Sequence, residues 1–227
     1  VLMAATAAAA DLAGQSEAGA GLRAPLQQAL ATGTKSVAIP PGVYRFGGNL
    51  ELSDLEGVTI EGNGAEFVFA GGMVRLMNCR HTVIRNLFLD VDPLPFVQGT
   101  VSALDPTGHT VDLRLDAGYP ASAACAGKEA LRCVFFDPAG ERELEIIDTT
   151  TPPPVEVAPA VLRIRSRRIF DLKHRPLAAG DRVVLSLKTG AGGISLTDCE
   201  TVTLEDVTIY AAGRFAITES GFEIGSA

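Results

Sequence analysis

The chain has 227 residues, of which 47% are hydrophobic and 20% charged, with a formal net charge of −8 and a pI of about 4.9. Phosphate backbones are bound by excess Lys and Arg, so this acidic balance speaks against nucleic-acid binding. With 24 glycines, 13 prolines, 6% aromatic residues and no tryptophan, the composition excludes a packed helical protein and predicts an all-β chain of short strands and frequent turns.

The first ten residues, Val1 to Ala10, are apolar, alanine-rich and uncharged. They are too short to span a membrane and lack a basic n-region. They read as the tail of an export signal or the start of a helix; export is favoured, so the protein is expected to be secreted, periplasmic or on the cell surface. No other segment approaches a membrane span. Leu22 to Ala31 follows as a short amphipathic helix with Leu22, Leu26, Ala29 and Leu30 on one face. It leads into the strand-rich run Lys35 to Phe46, and a helix there suits the cap that an open first coil requires.

A repeat then sets in. Gly47-Gly48-Asn49-Leu50-Glu51-Leu52-Ser53-Asp54 aligns without gaps to Gly71-Gly72-Met73-Val74-Arg75-Leu76-Met77-Asn78, a shift of about 24 residues, within the range of one solenoid coil. Gly192 to Cys199 repeats the pattern after roughly 96 extra residues. Leu55 to Gly62, Cys79 to Leu89 and Cys199 to Ile209 each read as strand, one-residue bend, strand. The bend falls at Gly62, Asn86 and Asp206, residue types that tolerate left-handed backbone. Alternation points Val58, Ile60, Thr82, Ile84, Val202 and Leu204 inward, and stacks Glu61, Arg85 and Glu205 as an outward charge ladder.

Residues 94 to 188 break the repeat. Strands are predicted at Gly99–Leu104, Thr110–Leu115, Cys133–Phe136, Val161–Ile164 and Arg182–Leu187, separated by turn signals such as Asp105-Pro106 and Ala179-Gly180-Asp181. Together they predict a compact antiparallel barrel or sandwich. Arg163, Arg165, Arg167 and Arg168 alternate with apolar residues and read as a solvated face. Of the four cysteines, Cys125 and Cys133 flank a short loop and are compatible with a disulfide. Cys79 and Cys199 are expected to stack as buried, reduced thiols on neighbouring coils, with a disulfide between them as the less favoured reading. The three scattered histidines and the cysteine spacing predict no metal site. Gly190-Ala191-Gly192-Gly193 precedes a strand, which argues against a dinucleotide loop, and no cofactor is expected.

With Val37-x-Ile39-Pro40-Pro41-Gly42-x-Tyr44 on its opening strand, the chain resembles the pectin-lyase-like superfamily of right-handed parallel β-helices. Val58-Thr59-Ile60-Glu61-Gly62-x-Gly64, Asp90-x-Asp92-Pro93, the insertion and Val207-Thr208-Ile209-Tyr210-Ala211-Ala212-Gly213 make it similar to glycoside hydrolase family 110 α-1,3-galactosidases. The expected organisation is a cap and first coils over 1–93, an inserted β-barrel-like module over 94–188, and a continued β-helix over 189–227. The resemblance implies paired-carboxylate, inverting hydrolysis of galactose-containing glycans on coils expected beyond Ala227, with the open solenoid end covered by further chain or by self-association. A non-catalytic carbohydrate-binding or adhesion β-helix and a polysaccharide lyase are the alternatives.

Candidate chemistry lies on the strand after the second bend. Leu87, Leu89 and Val91 point inward, so Asp90 and Asp92 point out together, about 6.5–7 Å apart. That is the low edge of an inverting pair, roughly 6.5–9.5 Å. The coil offset places Glu66 and Tyr210 on either side of Asp90 as substrate-binding candidates, with Arg214 and Glu219 further along. A turn-capping role for Asp92, which precedes Pro93, is the competing reading.

Overall fold

The computed structural model describes residues 22, 26–28, 30–126, 128, 130–141, 143–148, 152–170, 175–188, 190, 192–213 and 215–221. Val1 to Ala10, Ala29 and Arg214 lie outside them. The chain is mostly β and divides into two compact units, Val1–Asp92 with Gly190–Ala227, and Pro93–Thr189. Among the described residues no helix is long and apolar enough to cross a membrane.

The first unit holds β1 (Ser36–Ala38), β2 (Val43–Phe46), β3 (Leu50–Ser53), β4 (Thr59–Phe69), β5 (Val74–Met77), β6 (Arg80–Val91), β14 (Ile194–Thr197), β15 (Glu200–Ile209) and β16 (Ile217–Ser220). One parallel sheet runs β1-β4-β6-β15, with β2 also on β4; the other runs β3-β5-β14-β16. From β3 onward successive strands of this unit alternate between the two sheets. The repeat is visible in the register: Leu50 pairs with Val74 and Val74 with Ile194, while Ile60 pairs with Ile84 and Ile84 with Leu204. Alternate residues therefore form apolar columns, and both sheets contribute to one core that includes Leu52, Leu76, Phe67, Leu89 and Leu196. Leu22 and Leu26, in the helical N-terminal stretch, are each only 2% exposed and join that core. The rungs follow one another closely: a Cβ at Gly193 would meet the Ala216 carbonyl oxygen at 2.5 Å.

The bends differ in detail from the reading above. Asn86 (φ 55°) and Asp206 (φ 49°) are left-handed, as expected of one-residue corners. Gly62 is not. In the first copy Asn63 (φ 52°) and Gly64 (φ 76°) make the turn, while Gly62 is required by crowding: a Cβ there would lie 2.4 Å from the Asn86 carbonyl oxygen. Glu61 pairs with Arg85 and Ala65 with Leu87, so three residues in β4 face one in β6. Two further left-handed columns stand at Asp54, Asn78 and Asp198 and at Gly57, His81 and Thr201.

The second unit holds β7 (Phe96–Asp105), β8 (Thr110–Leu115), β9 (Ala130–Phe136), β10 (Glu143–Asp148), β11 (Val155–Ala158), β12 (Val161–Arg165) and β13 (Arg182–Leu187). All pair antiparallel in one sheet, ordered β10-β9-β13-β7-β8-β12-β11. Its core gathers Val97, Val111, Leu113, Phe135, Leu162, Ile169 and Leu185. Arg163, Arg165, Arg167 and Arg168 face solvent, with the Arg163 guanidinium donating to both Asp112 carboxylate oxygens at 2.6 and 2.8 Å. Cys125 and Cys133 are free thiols in this core, and burial pushes Cys133 up to about 12.

Candidate functional site

The outer side of the parallel sheet carries an open groove of about 620 Å³ over the bends of β4, β6 and β15, lined by Glu61, Asn63, Asn86, Phe88, Asp206 and Thr208 among others. Its existence follows from the register. The three-residue bend of β4 juts beside the one-residue bends of β6 and β15, and the second residue past each bend, Glu66, Phe88 or Thr208, stands on the outer side beside it.

Glu61 anchors one wall. Its Oε1 accepts from the Asn86 side-chain amide at 2.8 Å and the Asn63 backbone N–H at 3.1 Å, and its Oε2 from Arg85 Nε at 2.6 Å. Arg85 also faces Glu205 at 3.8 Å, which completes the expected charge ladder. The Asn86 amide, then the Asn63 N–H, and then Arg85 hold the Glu61 carboxyl below the usual carboxylate range. A folded-state value below the unfolded one favours the folded state above the ordinary Glu value near 4.3, and that contribution is lost as pH falls through the depressed value. Thermal melts of the native chain are therefore expected to lose stability with acidification below about pH 4.3. The Glu61→Gln variant is expected to show a shallower acid slope; an unchanged slope would exclude Glu61 as a contributor.

Next to the bend, Glu66, Phe88 and Thr208 stand side by side in register. This corrects the expected placement of Glu66 beside Asp90: the two extra residues in the β4 bend move Glu66 to Phe88, and Val68 takes the position opposite Asp90. Tyr210 does lie one step past the Thr208–Phe88 row, its N–H donating to the Leu89 carbonyl. Its ring stacks on Phe88 with centroids 6.0 Å apart and planes 10° from parallel, and it is 64% exposed.

Asp90 and Asp92 share the outer face, since Leu89 and Val91 between and before them are buried. Each carboxylate has an internal partner. Asp90 Oδ1 accepts from the Val91 N–H at 2.8 Å, and Asp92 Oδ2 from Arg45 at 3.0 Å. Glu219 stands apart from them. It lies on β16 in the other sheet, opposite Leu196 in the column that is apolar on the preceding rungs. The groove residues Asn63, Asn86, Asp206 and Thr208 were not singled out from sequence as ligand contacts, although the 24-residue alignment already placed a polar bend at each copy.

A smaller cavity of about 300 Å³ in the second unit is lined by Asp116, Tyr119 and Ser122. Its polar groups serve the fold: Asp116 pairs with Arg182, and Ser122 donates to Glu156 while accepting the Ala160 N–H. Among the described residues no group of three His, Cys, Asp or Glu side chains is placed to hold a metal ion.

Carboxylate, carboxamide and hydroxyl groups around an aromatic face suit a polyhydroxylated ligand, because rings stack on sugar C–H faces while the polar groups bond hydroxyls. The acidic lining disfavours an anionic one. Comparison with protein-family models and with curated proteins finds no match.

Proposed function

We propose that the first unit is a stretch of right-handed parallel β-helix, related to the pectin-lyase-like folds, and that its bend groove binds a neutral glycan outside the cytoplasm. Strands that alternate between two parallel sheets around one core, in a register of about 24 residues, support the architecture. The observation that carries the function is the groove itself, with hydrogen-bonding groups of three kinds beside the stacked Phe88 and Tyr210.

Hydrolysis by Asp90 and Asp92, as in the family 110 galactosidases the sequence resembles, is the second reading. Their shared face beside Tyr210 favours it; their bonds to the Val91 amide and to Arg45 weigh against it. Binding is thus the activity better supported.

Calorimetric titration with neutral galactose-containing oligosaccharides is the test. The native chain is expected to bind. Tyr210→Ala is expected to weaken binding roughly 2- to 13-fold, matching the ~0.5–1.5 kcal/mol of an aromatic contact. Asp90→Asn is expected to leave affinity nearly unchanged. Absence of heat and of turnover with every neutral oligosaccharide would reject the reading, and release of reducing sugar that Asp90→Asn abolishes would favour hydrolysis over binding alone.

A further inference from the structure

Cys79 and Cys199 are separated by the whole second unit in sequence but occupy neighbouring rungs of the first. Each sits between a strand of one parallel sheet and a strand of the other. The Asn78 N–H donates to the Thr197 carbonyl at 2.9 Å just before the pair, and the Glu200 N–H to the Cys79 carbonyl at 2.8 Å just after it. Bonds on both sides hold the two residues at one strand spacing, about 4.8 Å. That falls within the about 4.4–6.8 Å Cα separation of disulfides. Both side chains belong to the same core column, where the preceding rung carries Leu55. Each thiol donates to the carbonyl two residues before it, Cys79 Sγ to Met77 at 3.4 Å and Cys199 Sγ to Thr197 at 3.3 Å, so the two side chains leave the backbone in the same direction. Both are free, Cys79 fully buried and Cys199 half-buried, which makes Cys199 the more accessible of the two.

We propose that Cys79 and Cys199 are a reversible dithiol–disulfide pair that covalently joins the rung before the insertion to the rung after it. A small-molecule disulfide such as oxidised glutathione is the oxidant. Cys199 loses its proton to solvent and its thiolate attacks one of the disulfide's sulfurs, breaking that S–S bond and releasing one thiolate, which takes up a proton from solvent. The Cys79 thiol then attacks the mixed disulfide at the Cys199 sulfur and passes its proton to the departing small-molecule sulfur, forming the protein disulfide and releasing the second small-molecule thiol. Two protein thiols are oxidised while one small-molecule disulfide is reduced to two thiols. The order follows from access, and burial, which raises the Cys79 thiol, reinforces it. Cys125 and Cys133, buried in the core of the second unit, lie outside this exchange.

The test uses the full chain in glutathione buffers of graded ratio, quenched by alkylation and mapped by mass spectrometry. A second aliquot is nicked by protease between residues 93 and 189 and run on a denaturing, non-reducing gel. The expected result is a Cys79–Cys199 peptide and two fragments that stay joined until reductant is added. C79S and C199S each lose the link, and C125S keeps it. Because the native chain is mapped directly, a variant that fails to fold does not decide the outcome. Oxidised, folded protein in which Cys79 remains free, whether or not Cys199 carries glutathione, would overturn the proposal.

Discussion

Phe69→Ala is expected to cost about 3–5 kcal/mol of stability, the range for removing a large aromatic side chain from a packed interior. Phe69 is 0% exposed and its ring stacks on Phe46 with centroids 4.9 Å apart, while Phe67 packs edge-on to Phe46 at 5.1 Å. These three rings fill the core where β2 pairs with β4, Phe46 opposite Phe69. Truncating the last of them leaves a cavity flanked by backbone that parallel hydrogen bonds hold in register, so the walls have little freedom to collapse. Denaturant unfolding should show the loss as a lower midpoint. Hydrogen exchange should accelerate across β2 and β4, and a change under 1 kcal/mol would show that these rings do not share a core.

Asp181→Ala is expected to destabilise the second unit by about 2–4 kcal/mol, through unpaired polar groups rather than a cavity. Asp181 is 0% exposed in the sheet unit, and its carboxylate accepts from Arg175 Nη1 at 2.9 Å, from Arg175 Nη2 at 2.5 Å and from the Ala178 N–H at 2.8 Å. Asp181 also directs backbone, its carbonyl accepting the Val101 N–H at 2.9 Å at the start of β13. Removing the carboxylate strands the Ala178 N–H and loosens the turn that aligns β13 with β7. The Arg175 side chain is 37% exposed and can recover water, which keeps the cost below that of a fully buried pair. Asp181→Asn, which retains an acceptor, is expected to lose roughly half as much. Accelerated amide exchange confined to β7, β9 and β13 is the signature; equal loss in both variants would shift the cause from the missing acceptor to the missing charge.

The register of β3, β5 and β14 was legible because three copies of one pattern align there without gaps. Each copy carries Asp or Asn where the chain bends, at Asp54, Asn78 and Asp198, and at Asn86 and Asp206. The corner at His81 and Thr201 was not legible. His tolerates positive φ but gives a weaker turn signal than Gly or Asn, and a β-branched Thr at φ 54° is held there by bonded neighbours rather than by its own preference. The misplacement of Glu66 has a related cause. A fixed offset assumes equal bends, and periodicity carries no mark of the two residues added between Glu61 and Ala65. In the second unit β10 and β11, the outermost strands of the sheet, escaped the sequence reading. β11 has exposed residues along its length and, among the described residues, pairs with β12 alone, so its alternation is not tied to a buried face. For the site, Tyr210 was recognised as an exposed aromatic, while the groove beside it depends on bend geometry that one-dimensional spacing does not contain.

The proposed glycan groove is tested most directly by following backbone amide shifts of the isotopically labelled native chain during titration with a neutral oligosaccharide. Saturable changes are expected at Asn63, Gly64, Asn86, Phe88 and Thr208, fading toward β3 and β5. Shifts that cluster away from these residues, or none at millimolar sugar, would contradict the assignment of this groove as the binding site.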